Sequence, residues 1–211
     1  MPTIIPAILT DNLETFAKQI RLIENLTDIV HIDICDGLFV PTKTLEAEVI
    51  QTISTTLKYE LHLMVSRPSA EIDRWSQAAN INRIIFHLET TPLPPLIIDQ
   101  IEEGGRQAGL TFNPDTPLSA VEPYFSQVKY IMVMGVTPGR QGQAFVPATV
   151  TRVKEIKTRW PELTVAADGG VHLEQLEQLK SAGADCLIMG SEIFTHNDPR
   201  AHLVELNKLL V

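Results

Sequence analysis

Short runs of isoleucine, valine and leucine alternate along the chain with longer stretches whose apolar residues recur every three or four positions. The short runs are typical of strands buried on both faces, and the three-to-four spacing is typical of amphipathic helices. The runs predict strands over residues 3–9, 29–33, 59–63, 83–88, 110–112, 130–134, 163–167 and 186–189. The helical spacing predicts helices over residues 13–25, 45–57, 69–79, 94–106, 118–125, 147–159, 173–182 and 199–210.

Alternation of strands with helices predicts a parallel sheet covered by helices. Eight such pairs favour an α/β fold of the closed (β/α)8 TIM barrel type, because closure removes both edges of the sheet. A doubly wound open sheet is the alternative, but that fold usually has a glycine-rich turn after its first strand, and residues 9–12 contain no glycine. With 211 residues the chain has room for one barrel with short loops, so we expect a single domain over residues 1–211.

Polar side chains follow the ends of three predicted strands, where the active site of such a barrel lies. His31 and Asp33 share one face of the second strand, because side chains alternate along a strand. His62 and Met64 share a face of the third, and Asp168 ends the seventh. Two histidines and two aspartates from three strands predict a site for one divalent cation such as zinc, iron(II), manganese or cobalt. The alternative is that each is a hydrogen-bonded residue of the barrel interior.

Glycine-containing turns follow the seventh and eighth predicted strands. They contain Gly169 and Gly170 after the seventh strand, and Gly190 with Ser191 after the eighth. Barrels often bind phosphate with the backbone N–H groups of these two loops and of a short extra helix, which we place over residues 191–194. The alternative is that both are simple left-handed turns.

Composition narrows the partners and the compartment. A formal charge of −9 without a segregated basic face disfavours nucleic acid and anionic membranes as partners. The two cysteines show no CxxC spacing and cannot form a disulfide framework, so a reducing compartment is expected. We see no signal peptide and no apolar stretch long enough to cross a bilayer, and we expect a cytoplasmic protein.

Ordered motifs along nearly the whole chain resemble those of the ribulose-phosphate 3-epimerase family, metal-dependent barrel isomerases of pentose phosphate metabolism. The motifs are Pro6-Ala7-Ile8-Leu9, His31-Ile32-Asp33, Asp36-Gly37, Phe39-Val40-Pro41, His62-Leu63-Met64-Val65 with Pro68, Phe86-His87-Leu88-Glu89, Val133-Met134-Gly135-Val136, Pro138-Gly139, Gly142-Gln143-Ala144-Phe145, Asp168-Gly169-Gly170-Val171, and Gly190-Ser191 with Ile193-Phe194.

The resemblance implies a role for each of these positions. It implies that His31, Asp33, His62 and Asp168 bind the metal, and that Asp33 and Asp168 are also the two acid/base groups on opposite faces of the substrate. Epimerisation would then invert C3 of a ketose phosphate by two-base proton transfer through a metal-stabilised enediolate. The residues expected at the substrate and its phosphate are Ala7, His62, Met64, Met134, Gly139, Gly142, Gly169, Gly170, Gly190 and Ser191. A homo-oligomer is also implied.

Several positions depart from the family pattern. Ala7 replaces a serine, Cys35 stands where a third methionine is usual, and the loop with Arg140 and Gln141 is more polar than expected. We expect Cys35 to fill space, the alternative being an oxidisable thiol beside the metal. Glu192 replaces a small residue after Gly190-Ser191, and we expect its carboxylate to point to solvent, because it would oppose a phosphate if it pointed inward.

The substrate is the remaining question. We expect interconversion of D-ribulose 5-phosphate and D-xylulose 5-phosphate. The changes after the second strand, at Thr42, Leu45 and Glu46, leave a D-allulose 6-phosphate 3-epimerase as an alternative. Ala7, Gln141 and Glu192 leave a third, a barrel that binds phosphosugars without catalysis, although the complete set of four metal-binding candidates argues against it. His87 and Glu89 fit the family's His-x-Glu motif, with either a supporting role behind the metal or a purely structural one.

Overall fold

Consecutive parallel strands form the centre of the molecule. The structure is a computed structural model and describes residues 1–139 and 143–210. The strands are β1 (Thr3–Ile8), β2 (Ile29–Cys35), β3 (Lys58–Met64), β4 (Ile81–His87), β5 (Gln107–Phe112), β6 (Tyr130–Met134), β7 (Thr164–Asp168) and β8 (Cys186–Met189). Each pairs with the next in parallel, and β8 closes the ring against β1. The predicted (β/α)8 barrel is therefore confirmed, and the open sheet was the wrong alternative.

Helices surround the ring and cover the outer faces of the strands. They are α1 (Leu13–Ile23), α2 (Ala47–Ile50), α3 (Pro68–Arg74), α4 (Pro94–Glu103), α5 (Leu118–Val121), α6 (Ala148–Arg159), α7 (Leu173–Ala182), α8 (Ser191–Phe194) and α9 (Pro199–Leu210). In α1, Asn12 accepts a hydrogen bond from the backbone N–H of Thr15 at 2.8 Å, and the helix buries Phe16 and Ile20 toward the strands. The short extra helix expected over residues 191–194 is confirmed as α8.

Three helices fall furthest short of their predicted lengths, and β5 exceeds its predicted length the most. The helix expected over 45–57 is only α2, because Thr52 bonds its hydroxyl back to the carbonyl of Val49 at 2.7 Å and β-branched residues follow. The helices expected over 69–79 and 118–125 end at Arg74 and Val121, the second giving way to a 3₁₀ turn that contains Pro123. Strand β5 begins at Gln107 rather than at residue 110, because its small residues concealed the apolar run.

Side chains alternate between the inside of the barrel and the layer beneath the helices. On β2, Val30, Ile32 and Ile34 belong to the large apolar layer that the helices cover. The intervening residues His31 and Asp33 point into the ring with the polar residues of β3 and β7. This alternation confirms the predicted shared faces and places the functional groups inside the carboxyl end of the barrel.

Candidate active site

The structure brings together the four residues predicted to bind a metal. His31 and Asp33 on β2, His62 on β3 and Asp168 at the end of β7 each offer a ligand atom, and these atoms lie within 4.8 Å of one another. Asp33 is in register with His62 across the β2–β3 pair. Two imidazole nitrogens and two carboxylate oxygens at this spacing suit a divalent transition metal. Their convergence therefore fits the cation that the sequence predicts.

The orientation of His31 provides a direct test of that fit. Its Nδ1 lies 2.7 Å from Oε1 of Glu60, whereas its Nε2 is buried and has no hydrogen-bond partner among the described residues. Nε2 lies 3.4 Å from Oδ1 of Asp33. Burial opposes a charge on the ring, but Asp33 and Glu60 raise the pKa of His31 to about 10. The surroundings thus favour a positive charge here, and a divalent cation would compete with the proton for the same place.

Glu60 is a residue of this site that the sequence analysis missed. It is fully buried on β3, accepts from His31, and pairs with Arg83 of β4. Burial opposes its charge, but the hydrogen bond from His31 and the charge of Arg83 lower the pKa of Glu60. A glutamate at an inward-facing position of a predicted interior strand was the available signal. A carboxylate bound to one ring nitrogen selects the other nitrogen as the metal ligand.

The two aspartates are in different electrostatic environments. Oδ1 of Asp33 lies 2.8 Å from Nδ1 of His62 and 3.4 Å from Nε2 of His31, and these contacts overcome burial to lower the pKa of Asp33. Burial, together with the charge of Asp33, raises the pKa of Asp168, although the histidines oppose this. Separated pKa values in one pair of carboxyl groups are the pattern expected of an acid and a base.

A small cleft, open to solvent, lies above these groups. It is lined by Ala7, Leu9, Asp33, Met64, Met134, Val136, Pro138, Gly139, Asp168, Gly169, Gly170, Val171, Ile188, Gly190 and Ser191. Most of the positions predicted to contact substrate are on this lining. His62 is fully buried beneath the cleft and does not line it, and the prediction for Gly142 falls outside the described residues, as do those for Arg140 and Gln141.

Apolar side chains form much of the wall around the aspartates. Met64 and Met134 are buried and line the cleft together with Asp33 and Asp168. Cys35 is buried with Met64 and Val40, and burial raises the pKa of its thiol. A protonated, enclosed thiol reacts slowly, so the structure favours Cys35 as a space-filling residue over an oxidisable one.

Two loops meet at the mouth of the cleft. The hydroxyl of Thr42, in the β2–α2 loop, donates to the carbonyl of Gly139 in the loop after β6. Gly139 has a φ of +95°, and a Cβ there would lie 2.5 Å from Cβ of Val40. Only glycine allows this approach without a shift of the neighbouring loop. The contact holds the part of the β6 loop that precedes residue 140 against the rim of the site.

Glu192 does not point to solvent, and that expectation was wrong. Its two carboxylate oxygens lie 2.8 Å from Nδ1 of His172 and 2.7 Å from Nε2 of His202. These hydrogen bonds overcome burial to lower the pKa of Glu192. Paired with two imidazoles, its charge is balanced next to the Gly190-Ser191 turn, which reduces repulsion of an anion there.

Gly135 is a point of close backbone contact beneath the cleft, and its substitution is a first test of the site's architecture. A Cβ at this position would lie 2.2 Å from the carbonyl oxygen of Gly169 and 2.9 Å from the ring of Phe145. Gly135→Ala is therefore expected to lower the free energy of unfolding by about 1–3 kcal/mol through overpacking, measured by denaturant titration. Gly105→Ala separates out the cost of backbone conformation, because Gly105 has a φ of +74° and open space around it. Equal losses in the two variants would contradict the steric argument.

Comparison with known proteins finds one matching family model and several similar curated proteins. The model of the ribulose-phosphate 3 epimerase family matches residues 3–194. Curated proteins named ribulose-phosphate 3-epimerase are similar: that of Mycobacterium bovis is 32% identical, with 98% of this chain and 92% of that protein covered. That of Bacillus subtilis is 30% identical with 98% of both covered, and that of Escherichia coli is 33% identical with 87% and 84% covered.

Solved structures support the architecture alone. A KGPDC from Streptococcus mutans has a TM-score of 0.76 at 12% identity, covering 99% of this chain and 97% of that one. The 3-hexulose-6-phosphate synthase of Salmonella typhimurium has a TM-score of 0.69 at 14% identity, with 99% and 98% covered. Within residues 1–139 and 143–210, no helix has both the length and the apolar character needed to cross a bilayer. From the family match and the relatives above 30% identity, the chain belongs to the ribulose-phosphate 3-epimerase family.

Proposed function

We propose that this protein is a ribulose-phosphate 3-epimerase that interconverts D-ribulose 5-phosphate and D-xylulose 5-phosphate by inverting C3. The observation that carries the proposal is the placement of Asp33 and Asp168 in one cleft, with His31 and His62 beside them. The curated relatives with this enzyme name are similar to the chain over nearly their whole length. Removal and return of a proton beside a carbonyl is the chemistry that two such carboxylates can perform.

The two aspartates divide the proton transfer between them. They belong to β2 and β7, which β1 and β8 separate in the ring, so their carboxylates enter the cleft from different sides. One carboxylate takes the C3 proton, and the other, in its acid form, gives a proton to the opposite face, which inverts the configuration. The buried methionines beside them limit water near the reacting carbon.

One divalent cation completes the proposed site. His31, Asp33, His62 and Asp168 would hold it, and zinc, iron(II), manganese and cobalt all accept this ligand set. When bound, the cation stabilises the negative charge that develops on the substrate oxygens as the C3 proton leaves.

Removal of metal with a chelator is therefore expected to abolish turnover, and readdition of one of these metals to restore it. Full activity at a metal content near zero would contradict the assignment.

The phosphate of the substrate is assigned to the β7 and β8 loops. Gly169 and Gly170 have φ of +93° and +66°, and they line the cleft together with Gly190 and Ser191. Because β7 and β8 are neighbours, these turns lie side by side at one end of the cleft. Backbone N–H groups in turns of this type can surround an anion without a basic side chain.

A comparison of substrates tests the proposal. With metal-loaded protein, D-ribulose 5-phosphate is expected to give D-xylulose 5-phosphate with a higher kcat/KM than that for D-allulose 6-phosphate. A preference for the hexose phosphate would support the related hexose epimerase instead. Tight binding of both sugars without turnover would overturn the enzyme assignment and favour a phosphosugar-binding barrel.

The remaining expectations are proposals of the same account. We propose that residues 1–211 form one domain, that the protein assembles as a homo-oligomer in the cytoplasm, and that neither nucleic acid nor a membrane is its partner. The net charge of −9 supports the last point, since it disfavours both surfaces. Light scattering of the purified protein measures the assembly state.

A further inference from the structure

His87 is a buried histidine next to the proposed metal site that the reaction does not use. It ends β4, is fully buried, and packs against the ring of Phe39. Its Nε2 lies 2.8 Å from Nε2 of His62, a predicted metal ligand. A neutral imidazole carries one proton, on one of its two ring nitrogens. The position of that proton decides what His62 can do.

The contact between the two Nε2 atoms requires one proton between them, and either ring can supply it. If His87 donates, Nε2 of His62 must accept, and the single proton of a neutral His62 ring is then on Nδ1. If His62 donates from Nε2, its Nδ1 is free to hold or release a proton. Nδ1 is the atom that faces the site, 2.8 Å from Asp33 and 3.6 Å from Asp168. Only the second arrangement lets Nδ1 become a ligand while the contact with His87 is kept.

Glu89 selects between these arrangements. Its Oε2 lies 3.5 Å from Nδ1 of His87, a buried nitrogen that has no hydrogen-bond partner among the described residues. Its Oε1 accepts from the backbone N–H of Asn113 and from the hydroxyl of Thr116. Burial opposes the charge, but the contacts with His87, Thr116 and the backbone lower the pKa of Glu89 to about 2. An ionised carboxylate only accepts, so it favours a proton on Nδ1 of His87, which leaves Nε2 of His87 as an acceptor.

We propose that Glu89 is a positioning residue that acts through His87 to hold a proton on Nε2 of His62, and so keeps Nδ1 of His62 available as a metal ligand. The inference rests on the proposed metal site. Glu60 orients His31 in the same way by direct contact, whereas Glu89 contacts His62 only through the imidazole of His87. Both histidine ligands of the site are therefore oriented by carboxylates from neighbouring strands or strand ends.

A change of one atom tests the proposal. In Glu89→Gln the amide oxygen can keep the bonds from Asn113 and Thr116, while the amide N–H₂ faces Nδ1 of His87 and donates to it. His87 then donates from Nε2 to Nε2 of His62, so the single proton of a neutral His62 ring is on Nδ1. We expect zinc affinity, measured by competition titration, to fall on the order of 10- to 100-fold. Glu103→Gln, on the exposed end of α4, is the matched control and should bind zinc as the wild type does.

Imidazole ¹⁵N chemical shifts provide a readout that a merely structural role would not change. Nε2 of His62 is expected to be protonated in the wild type and unprotonated in Glu89→Gln, with the cooperative unfolding transition retained. In a His87→Gln background an amide oxygen replaces the Nε2 acceptor, so adding Glu89→Gln should change zinc affinity by less than about threefold. Unchanged affinity and unchanged His62 shifts in Glu89→Gln would overturn the proposal. Because zinc binding needs no substrate, a protein that shows these effects but does not epimerise would refute only the proposed function.

Discussion

Asp168→Asn is expected to lower the rate of epimerisation at saturating substrate by roughly 10²- to 10⁴-fold, the range that one acid/base group contributes. The amide keeps the shape of the carboxyl group but cannot act as an acid or a base near neutral pH. The backbone carbonyl of Asp168 still accepts from the N–H of Gly135, so the end of β7 should stay in place. A coupled assay for xylulose 5-phosphate measures the effect.

Two measurements keep this result specific. The assay is run with metal in excess, so that a weaker metal site does not account for the loss of rate. Asp99→Asn, an exposed carboxylate on α4, is the matched control and should retain the wild-type rate. If Asp168→Asn retains more than about a tenth of the wild-type rate, Asp168 is not one of the two proton-transfer groups.

Glu60→Leu is expected to lower the free energy of unfolding by about 3–5 kcal/mol, because it leaves a buried charge without its partner. Arg83 is only 12% exposed, lies 3.5 Å over the ring of Tyr130, and otherwise donates to Gln107. The guanidinium would lose its carboxylate inside the barrel, where water cannot replace it. Denaturant titration measures the loss.

A paired substitution separates this effect from a general loss of packing. Glu60→Leu combined with Arg83→Met removes both charges and should recover most of the stability. The double variant should still bind metal more weakly, because Nδ1 of His31 no longer has its acceptor. By contrast, Glu48 pairs with Arg74 on the surface, and the Glu48 side chain is 63% exposed. Glu48→Gln should therefore lower the free energy of unfolding by at most about 1 kcal/mol. A double variant as unstable as Glu60→Leu alone would contradict the charge argument.

The barrel could be predicted because its strands are buried on both faces. That burial requires continuous apolar runs, which a sequence displays directly, and strand ends in such a fold meet at one edge. His31, Asp33, His62 and Asp168 each follow or end such a run, so their convergence required no knowledge of long-range contacts. The turns at Gly169 and Gly190 were found by the same reasoning.

Contacts that depend on register or on distant helices could not be predicted in this way. The pairing of Glu60 with Arg83 depends on the alignment of β3 with β4, which shifts between Tyr59 and Glu60. The surroundings of Glu192 depend on His202, which α9 brings back to the barrel from the end of the chain. An inward-facing glutamate on an interior strand signals a buried carboxylate at Glu60, but no local pattern in the sequence identifies Arg83 or His202 as a partner.

Exchange of the C3 hydrogen with solvent tests the central claim most directly. Metal-loaded protein is incubated with D-ribulose 5-phosphate in deuterated water, and the C3 hydrogen is followed by NMR. Proton transfer by Asp33 and Asp168 predicts deuterium at C3 as D-xylulose 5-phosphate appears, and a strongly slowed appearance of D-xylulose 5-phosphate in Asp168→Asn. Metal-loaded wild-type protein that leaves the C3 hydrogen in place would contradict the account.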